Sequence, residues 1–133
     1  MTFEELLEAY EDKLEWVVIQ KKRNYFDQDY LKGYYYGLRQ MFHECKTLID
    51  FKPQVDKPTP EEKEKYNTED EVVGILRYRG VEAPVYCDDY GQQEYMMYEG
   101  KTYSGGSYNL MAAWDFCDYL DDVLDEKVLD FSK

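Results

Sequence analysis

Histidine, paired cysteines, glycine-rich loops and long apolar runs are all scarce in this chain, and each scarcity removes a class of function. The single histidine, His43, follows Phe42 in mid-helix with no acid-and-nucleophile pattern around it, so it reads as a surface or half-buried helical residue rather than a general base. Cys45, Cys87 and Cys117 are odd in number and far apart, without a CxxC pair, which indicates neither a zinc site nor a disulfide framework. Cys45 and Cys117 fall in apolar helical registers, where a thiol acts as a small hydrophobe, and a reducing cytoplasm is the expected compartment. No nucleophile elbow, P-loop or dinucleotide glycine motif is present. No apolar run is long enough to span a bilayer, and Glu4 and Glu5 stand where a secretory signal would be basic. Basic charge is also short: 16 Lys and Arg face 29 Asp and Glu, for a net charge of -13. The cluster Lys21-Lys22-Arg23 is too small for a nucleic-acid footprint and suits the C-terminal dipole of a first helix.

What the chain does have is an apolar fraction of 44%, enough for a core in one domain of 133 residues, and 15 tyrosines. Tyrosine combines a large apolar body with a polar tip and serves packing and binding faces alike, with packing the default at any one position. Acidity is uneven. Residues 1–65 carry 14 acids and 11 bases, whereas residues 66–133 carry 15 and 5, so -3 against -10. Such a field repels nucleic acid and anionic membrane and draws cationic protein surfaces.

Hydrophobic periodicity orders these residues into elements. Thr2 with Glu5 forms a capping-box signature, and Phe3, Leu6, Leu7, Tyr10, Leu14, Val17 and Val18 recur at helical spacing to about Lys22. Asp27 or Asp29 can cap a second helix, with Leu31, Tyr34, Tyr35, Leu38, Met41, Phe42, Cys45, Leu48 and Ile49 as its apolar face. The short connection favours an antiparallel hairpin, and Gly33 and Gly37 are spaced to let another backbone approach. Residues 51–70, with Pro53, Pro58 and Pro60, read as a linker holding a short helix over 60–66. Strands are predicted at Val72–Tyr78, Ala83–Cys87, Gln93–Tyr98 and Lys101–Ser104, antiparallel because their connections are too short for a crossover. Pro84 points to an edge or irregular strand, and Asp88-Asp89-Tyr90-Gly91 to a turn. A final helix, capped by Ser107 or Asn109, presents Leu110, Ala113, Trp114, Cys117, Leu120, Leu124, Val128 and Phe131 as one stripe to cover the sheet.

The expected fold is therefore α+β: an N-terminal antiparallel helical hairpin, then a three- to four-stranded antiparallel β-meander covered by a C-terminal amphipathic helix. It is expected as a single domain over 1–133, with a hairpin subdomain at 1–50, the linker at 51–70 and a meander-plus-helix subdomain at 71–133.

The chemistry concentrates on the last helix, where seven acids (Asp115, Asp118, Asp121, Asp122, Asp125, Glu126 and Asp130) face one base, Lys127. On a helical wheel Asp115, Asp118, Asp122, Asp125 and Glu126 cluster within about a third of the circumference, away from the stripe. The Asp118–Asp122 and Asp122–Glu126 pairs each cost about 0.2–0.5 kcal/mol as like charges at i,i+4. Several of these acids also oppose the helix dipole. A solvated face kept for solubility is the plainer explanation. The sharper one is a row of carboxylates presented to a basic surface, with Tyr119 on the helix and Tyr90 at the turn beside Asp88 and Asp89 as aromatic anchors. Clustered carboxylates also bind calcium or magnesium, but an EF-hand loop begun at Asp88 fails because Tyr90, Gln92 and Gln93 occupy positions 3, 5 and 6. The turn at Ser104-Gly105-Gly106-Ser107 could offer backbone N–H groups to an anion, against the acidic field around it.

In size, acidity and lack of catalytic motifs the chain resembles the small inhibitors that phages and mobile elements direct against host machinery, including DNA-mimicking anti-CRISPR and anti-restriction proteins. Asp115 to Glu126 carry the resemblance, supported by Asp88, Asp89, Glu94 and Glu99. Such proteins share no common fold, so no catalytic or binding residue transfers. The resemblance implies a non-enzymatic, cytoplasmic binder of a basic, nucleic-acid-binding protein, without a cofactor and without direct contact to nucleic acid or membrane. Two alternatives stay open. One is an assembly protein that pairs with its own copy or a partner through Tyr34, Tyr35, Tyr36 and the Gly33/Gly37 face. The other is a carboxylate-based metal binder or hydrolase.

Overall fold

The structure is a computed structural model and describes residues 1–88, 93–105 and 109–131, the side chains of 109–111 excepted. By internal contact the chain divides into two compact units, Met1–Lys52 with Val123–Lys133, and Pro53–Asp122.

The first unit is built on two helices of equal length, α1 (Phe3–Arg23) and α2 (Gln28–Leu48), which form the expected antiparallel hairpin. Thr2 and Glu5 close a reciprocal capping box at the start of α1. Lys21, Lys22 and Arg23 occupy its last turn, before Asn24 ends the helix in the left-handed region. Asp27 caps α2 by accepting the backbone N–H of Asp29. Leu6, Tyr10, Leu14 and Val17 meet Leu31, Tyr35, Leu38 and Phe42 in one core, with the Tyr10 and Phe42 rings stacked 4.1 Å apart. Trp16 packs beside Phe26 and Tyr34. The apolar face of α2 is narrower than its periodicity suggests: Met41 is 56% exposed and Leu48 83%. Nothing in the described chain approaches Gly33 or Gly37, where an added Cβ would meet open space.

The second unit is a five-stranded antiparallel sheet in sequential order, β1 (Gln54–Asp56), β2 (Val72–Tyr78), β3 (Val81–Cys87), β4 (Glu94–Tyr98) and β5 (Lys101–Ser104). A short helix, α3 (Pro60–Tyr66), follows β1, with Thr59 and Glu62 as its capping box. The meander thus has one strand more than expected. Gln54–Asp56, assigned from composition to a linker, pairs with Ile75–Arg77. The Val55 side chain lies where a Cβ on Gly74 would be, 2.6 Å away, so that glycine admits the first strand. Pro84 is on an interior strand rather than an edge, and the strand pairing is irregular beside it, where the β2–β3 register shifts between Val72 and Gly74. The β3–β4 ladder begins at Val85↔Met96, just past the proline, so its missing N–H takes no bond from that side.

The sheet has two covered faces. Val72, Ile75 and Tyr86 pack with Tyr66, Tyr95 and Met97 on the face that α3 adjoins. The opposite face, bearing Tyr78, receives the first part of the last helix, α4 (Asn109–Leu129). Residues of α4 through Asp122 group with the sheet and those from Val123 with the hairpin, so residues 123–131 leave the 71–133 subdomain expected from sequence. No helix among the described residues is long and apolar enough to cross a membrane.

Candidate functional site

The α4 helix turns its acids in two directions. Among its described side chains the buried ones are Ala112, Ala113, Phe116, Cys117, Leu120, Asp121, Asp125 and Leu129. Cys117, Asp121, Asp125 and Leu129 are an i,i+4 row, so the buried face drifts around the helix instead of following the predicted stripe. Trp114 and Leu124 are half-buried and Val128 is exposed.

Asp125, expected on the outer acidic face, is fully buried. Its Oδ2 accepts the hydroxyls of Tyr10 at 2.6 Å and Tyr35 at 3.0 Å, and Arg39 Nη1 lies 3.6 Å away. Asp121 is the counterpart in the sheet unit. Tyr78 Oη donates to its carboxylate at 2.9 Å, and Arg79 Nη1 donates at 3.0 Å. A buried carboxylate is tolerable only with such partners, because desolvation otherwise exceeds what Coulomb attraction returns. Burial, followed by the adjoining aspartate, drives the Tyr10 and Tyr78 phenols far above the ordinary tyrosine range. They remain protonated donors, and the two clusters act as internal fasteners. Neither was foreseen. The signal available was an aspartate in register with Cys117 and Leu129.

The remaining acids of α4 stay at the surface. Asp115, Asp122 and Glu126 are exposed and Asp118 is half-buried. Asp130 is not part of this row: it ends the helix in the left-handed region, half-buried, and its carbonyl and that of Leu129 accept Lys21 Nζ. Tyr119 is half-buried and lies against β5. Its hydroxyl donates to the Ser104 carbonyl at 3.3 Å and its ring lies 5.1 Å from that of Tyr103, folding it back on β5. Asp88 bonds to Gln93, its N–H donating to the Gln93 carbonyl and its carboxylate accepting the Gln93 N–H. Asp89 and Tyr90 lie outside the described residues, as do Gly106 and Ser107 of the suggested anion turn.

Two further groupings belong to the sheet unit. Arg77 is shared by three carboxylates, donating to Asp56 at 2.7 Å, to Glu62 at 3.2 Å and to Glu82. The Asp56 carboxyl is held below its usual range chiefly by Arg77, and that of Glu62 chiefly by the backbone of Thr59, then by Arg77. Beside this cluster, an open groove of about 410 Å³ runs between the end of α3 and the sheet, lined by Tyr66, Pro84, Tyr86 and Met97 among others. At the end of β3, burial and then Asp88, Glu94 and Asp70 push the Cys87 thiol above its ordinary range, which disfavours a reactive thiolate. Among the described residues no three His, Cys, Asp or Glu side chains are grouped to hold a metal ion. Comparison of the chain with protein-family models, with curated proteins and with solved structures found no match.

Proposed function

We propose that this protein is a non-enzymatic acidic binder whose sheet unit engages a basic surface of another protein, in the manner of inhibitors of nucleic-acid-binding enzymes. The observation that carries the reading is the partition of charge. The hairpin unit holds 13 acids and 10 bases, the sheet unit 16 and 6, so ten of the thirteen net negative charges belong to residues 53–122.

The burial of Asp125 sharpens the reading by removing it from the contact surface. Within the sheet unit, Asp115, Asp118 and Asp122 remain on α4, about 4.5 and 6 Å apart along the axis. A single DNA strand carries one charge per about 3.4 Å and the duplex twice that density. This row is therefore looser than a phosphate backbone, and supports attraction of clustered lysines and arginines more than imitation of a duplex contour.

The test is affinity capture from a bacterial lysate at low salt, with the Asp115→Lys, Asp118→Lys, Asp122→Lys variant alongside. A nucleic-acid-binding enzyme held by the native chain and lost by the variant is the expected result. Partners indifferent to the reversal would end the α4 reading.

Assembly through the hairpin has one observation in its favour. Tyr30, Gly33, Gly37, Met41 and Leu48 share a row on α2, and Tyr30, Met41 and Leu48 are more than half exposed. Sedimentation that shows concentration-dependent dimers, abolished by Gly37→Leu, would favour this class.

A further inference from the structure

The groove on the α3 side of the sheet is separate from the α4 row, which belongs to the opposite face. Pro84 and Tyr86 from β3 and Met97 from β4 line it, Tyr66 closes the α3 end, and Glu82 and Glu99 contribute carboxylates. The tyrosine positions are held: Tyr86 donates its hydroxyl to the Tyr66 carbonyl and stacks on Tyr95 at 5.3 Å.

Two observations indicate what such a groove would take. One is charge. Asp56, Glu62 and Glu82 share the single guanidinium of Arg77, which leaves this cluster two negative charges in excess, and Glu99 adds another. Lys65 returns one positive charge. The other is a cation already in place: the Lys65 ammonium stands over the Tyr66 ring, 5.0 Å from its centroid. A ring face within about 6 Å of a cation is in the range of cation–π attraction, which strengthens as water is excluded. Lys65 is exposed, so its ammonium is an occupant that solvent can take back.

We propose that this groove receives an arginine side chain from a basic segment of a partner protein, the guanidinium displacing Lys65 from the Tyr66 ring while Glu82 and Glu99 supply counter-charge. Arginine fits because its flat guanidinium stacks on a ring and remains weakly hydrated, where an ammonium keeps its water. That the source is a protein rests on the functional reading above. The site itself does not depend on the α4 row.

The experiment is titration of the full chain with an (Arg-Gly)4 peptide, followed by amide chemical shifts. The expected shifts centre on residues 65–68, 82–86 and 97–100. Tyr66→Leu should weaken binding roughly five- to tenfold, and Tyr66→Phe, which keeps the ring, should not. Lys65→Met should tighten binding, and by more than Lys63→Met, a charge loss elsewhere on α3. Glu99→Gln, which keeps the side-chain size at an exposed turn, should weaken binding while circular dichroism and the thermal midpoint report whether the fold is kept.

Shifts scattered over all acidic surfaces, or equal effects of Lys65→Met and Lys63→Met, would overturn the site. Equal binding of spermidine or choline at the same concentration would reassign it to small cations and overturn the protein source. The Asp115/Asp118/Asp122 lysine variant separates the two readings. If it loses its lysate partner yet still binds the peptide in the groove, both stand. If it keeps the partner, the α4 reading fails alone.

Discussion

The two units bury an aspartate by the same device and then present opposite surfaces. In the hairpin unit Asp125 is held by Tyr10, Tyr35 and Arg39, and in the sheet unit Asp121 by Tyr78 and Arg79. Outside, the hairpin unit carries a net charge of only -3 yet exposes Met1, Ile19, Tyr25, Tyr30, Tyr36, Met41, Leu48 and Val128. The sheet unit, at -10, leaves only Val55 and Val73 comparably exposed among the described residues. Were acidity present for solubility, it would accompany the apolar surface that needs it. It is concentrated instead in the unit where, among the described residues, fewer large apolar side chains are exposed. The difference supports the recognition proposed above and gives the hairpin a separate surface.

The largest effects should come from the shared device. Asp125→Ala leaves a guanidinium and two phenols without their carboxylate in a buried place, and should cost about 3–5 kcal/mol in urea denaturation followed by circular dichroism. Asp121→Ala, which strands the buried Tyr78 phenol and Arg79 guanidinium, should cost about as much. Hydrogen exchange should locate the first loss in α1 and α2 and the second in β2 and β3. If both variants loosened the same amides, the two clusters would not be independent.

Glycines give the next contrast. A Cβ on Gly105 would come 2.7 Å from that of Ala112 and 2.9 Å from Phe116 Cζ, so Gly105→Ala should destabilise the sheet unit by about 1–3 kcal/mol. On the hairpin, Gly33→Ala and Gly37→Ala enter open space on a helix and should each stabilise by roughly 0.5–1 kcal/mol. Loss of stability at Gly37 would mean that a second copy covers α2 in solution.

The smallest effect concerns pH. Asp56 and Glu62 hold native pKa values below their unfolded ones. Their contribution to stability is therefore complete above the unfolded values and is lost as pH falls through the native ones. Arg77→Met should raise the Asp56 titration more than that of Glu62, whose first support is the Thr59 backbone. Carboxyl-carbon NMR measures both. Equal shifts would show that the guanidinium outweighs the cap.

Most of the architecture was legible in the sequence because it rests on local signals. The caps at Thr2 and Asp27 and the short helix over 60–66 all sit where residue type placed them. Strand β1 escaped because three residues between Pro53 and Lys57 carry no periodicity, and their pairing with Ile75–Arg77 is non-local. The candidate site was only partly legible. Charge placed Asp115, Asp118, Asp122 and Glu126 at or near the surface, but the same rule misassigned Asp125. An aspartate is read as solvated until its partners are known, and Tyr10, Tyr35 and Arg39 lie about ninety or more residues away in the chain. The groove was hidden for the same reason, since α3, two strands and the turn after β4 supply its lining.

The positions of the two tryptophans have a practical use. Trp16 belongs to the hairpin core, among Phe26 and Tyr34, and Trp114 to the sheet unit, half-buried on α4. Each unit thus contains one indole, and Trp16→Phe or Trp114→Phe leaves a protein whose red-edge-excited emission comes from a single known half. The chain carries its own pair of fluorescent reporters, so melting, quenching or ligand capture in one unit is readable without any attached dye.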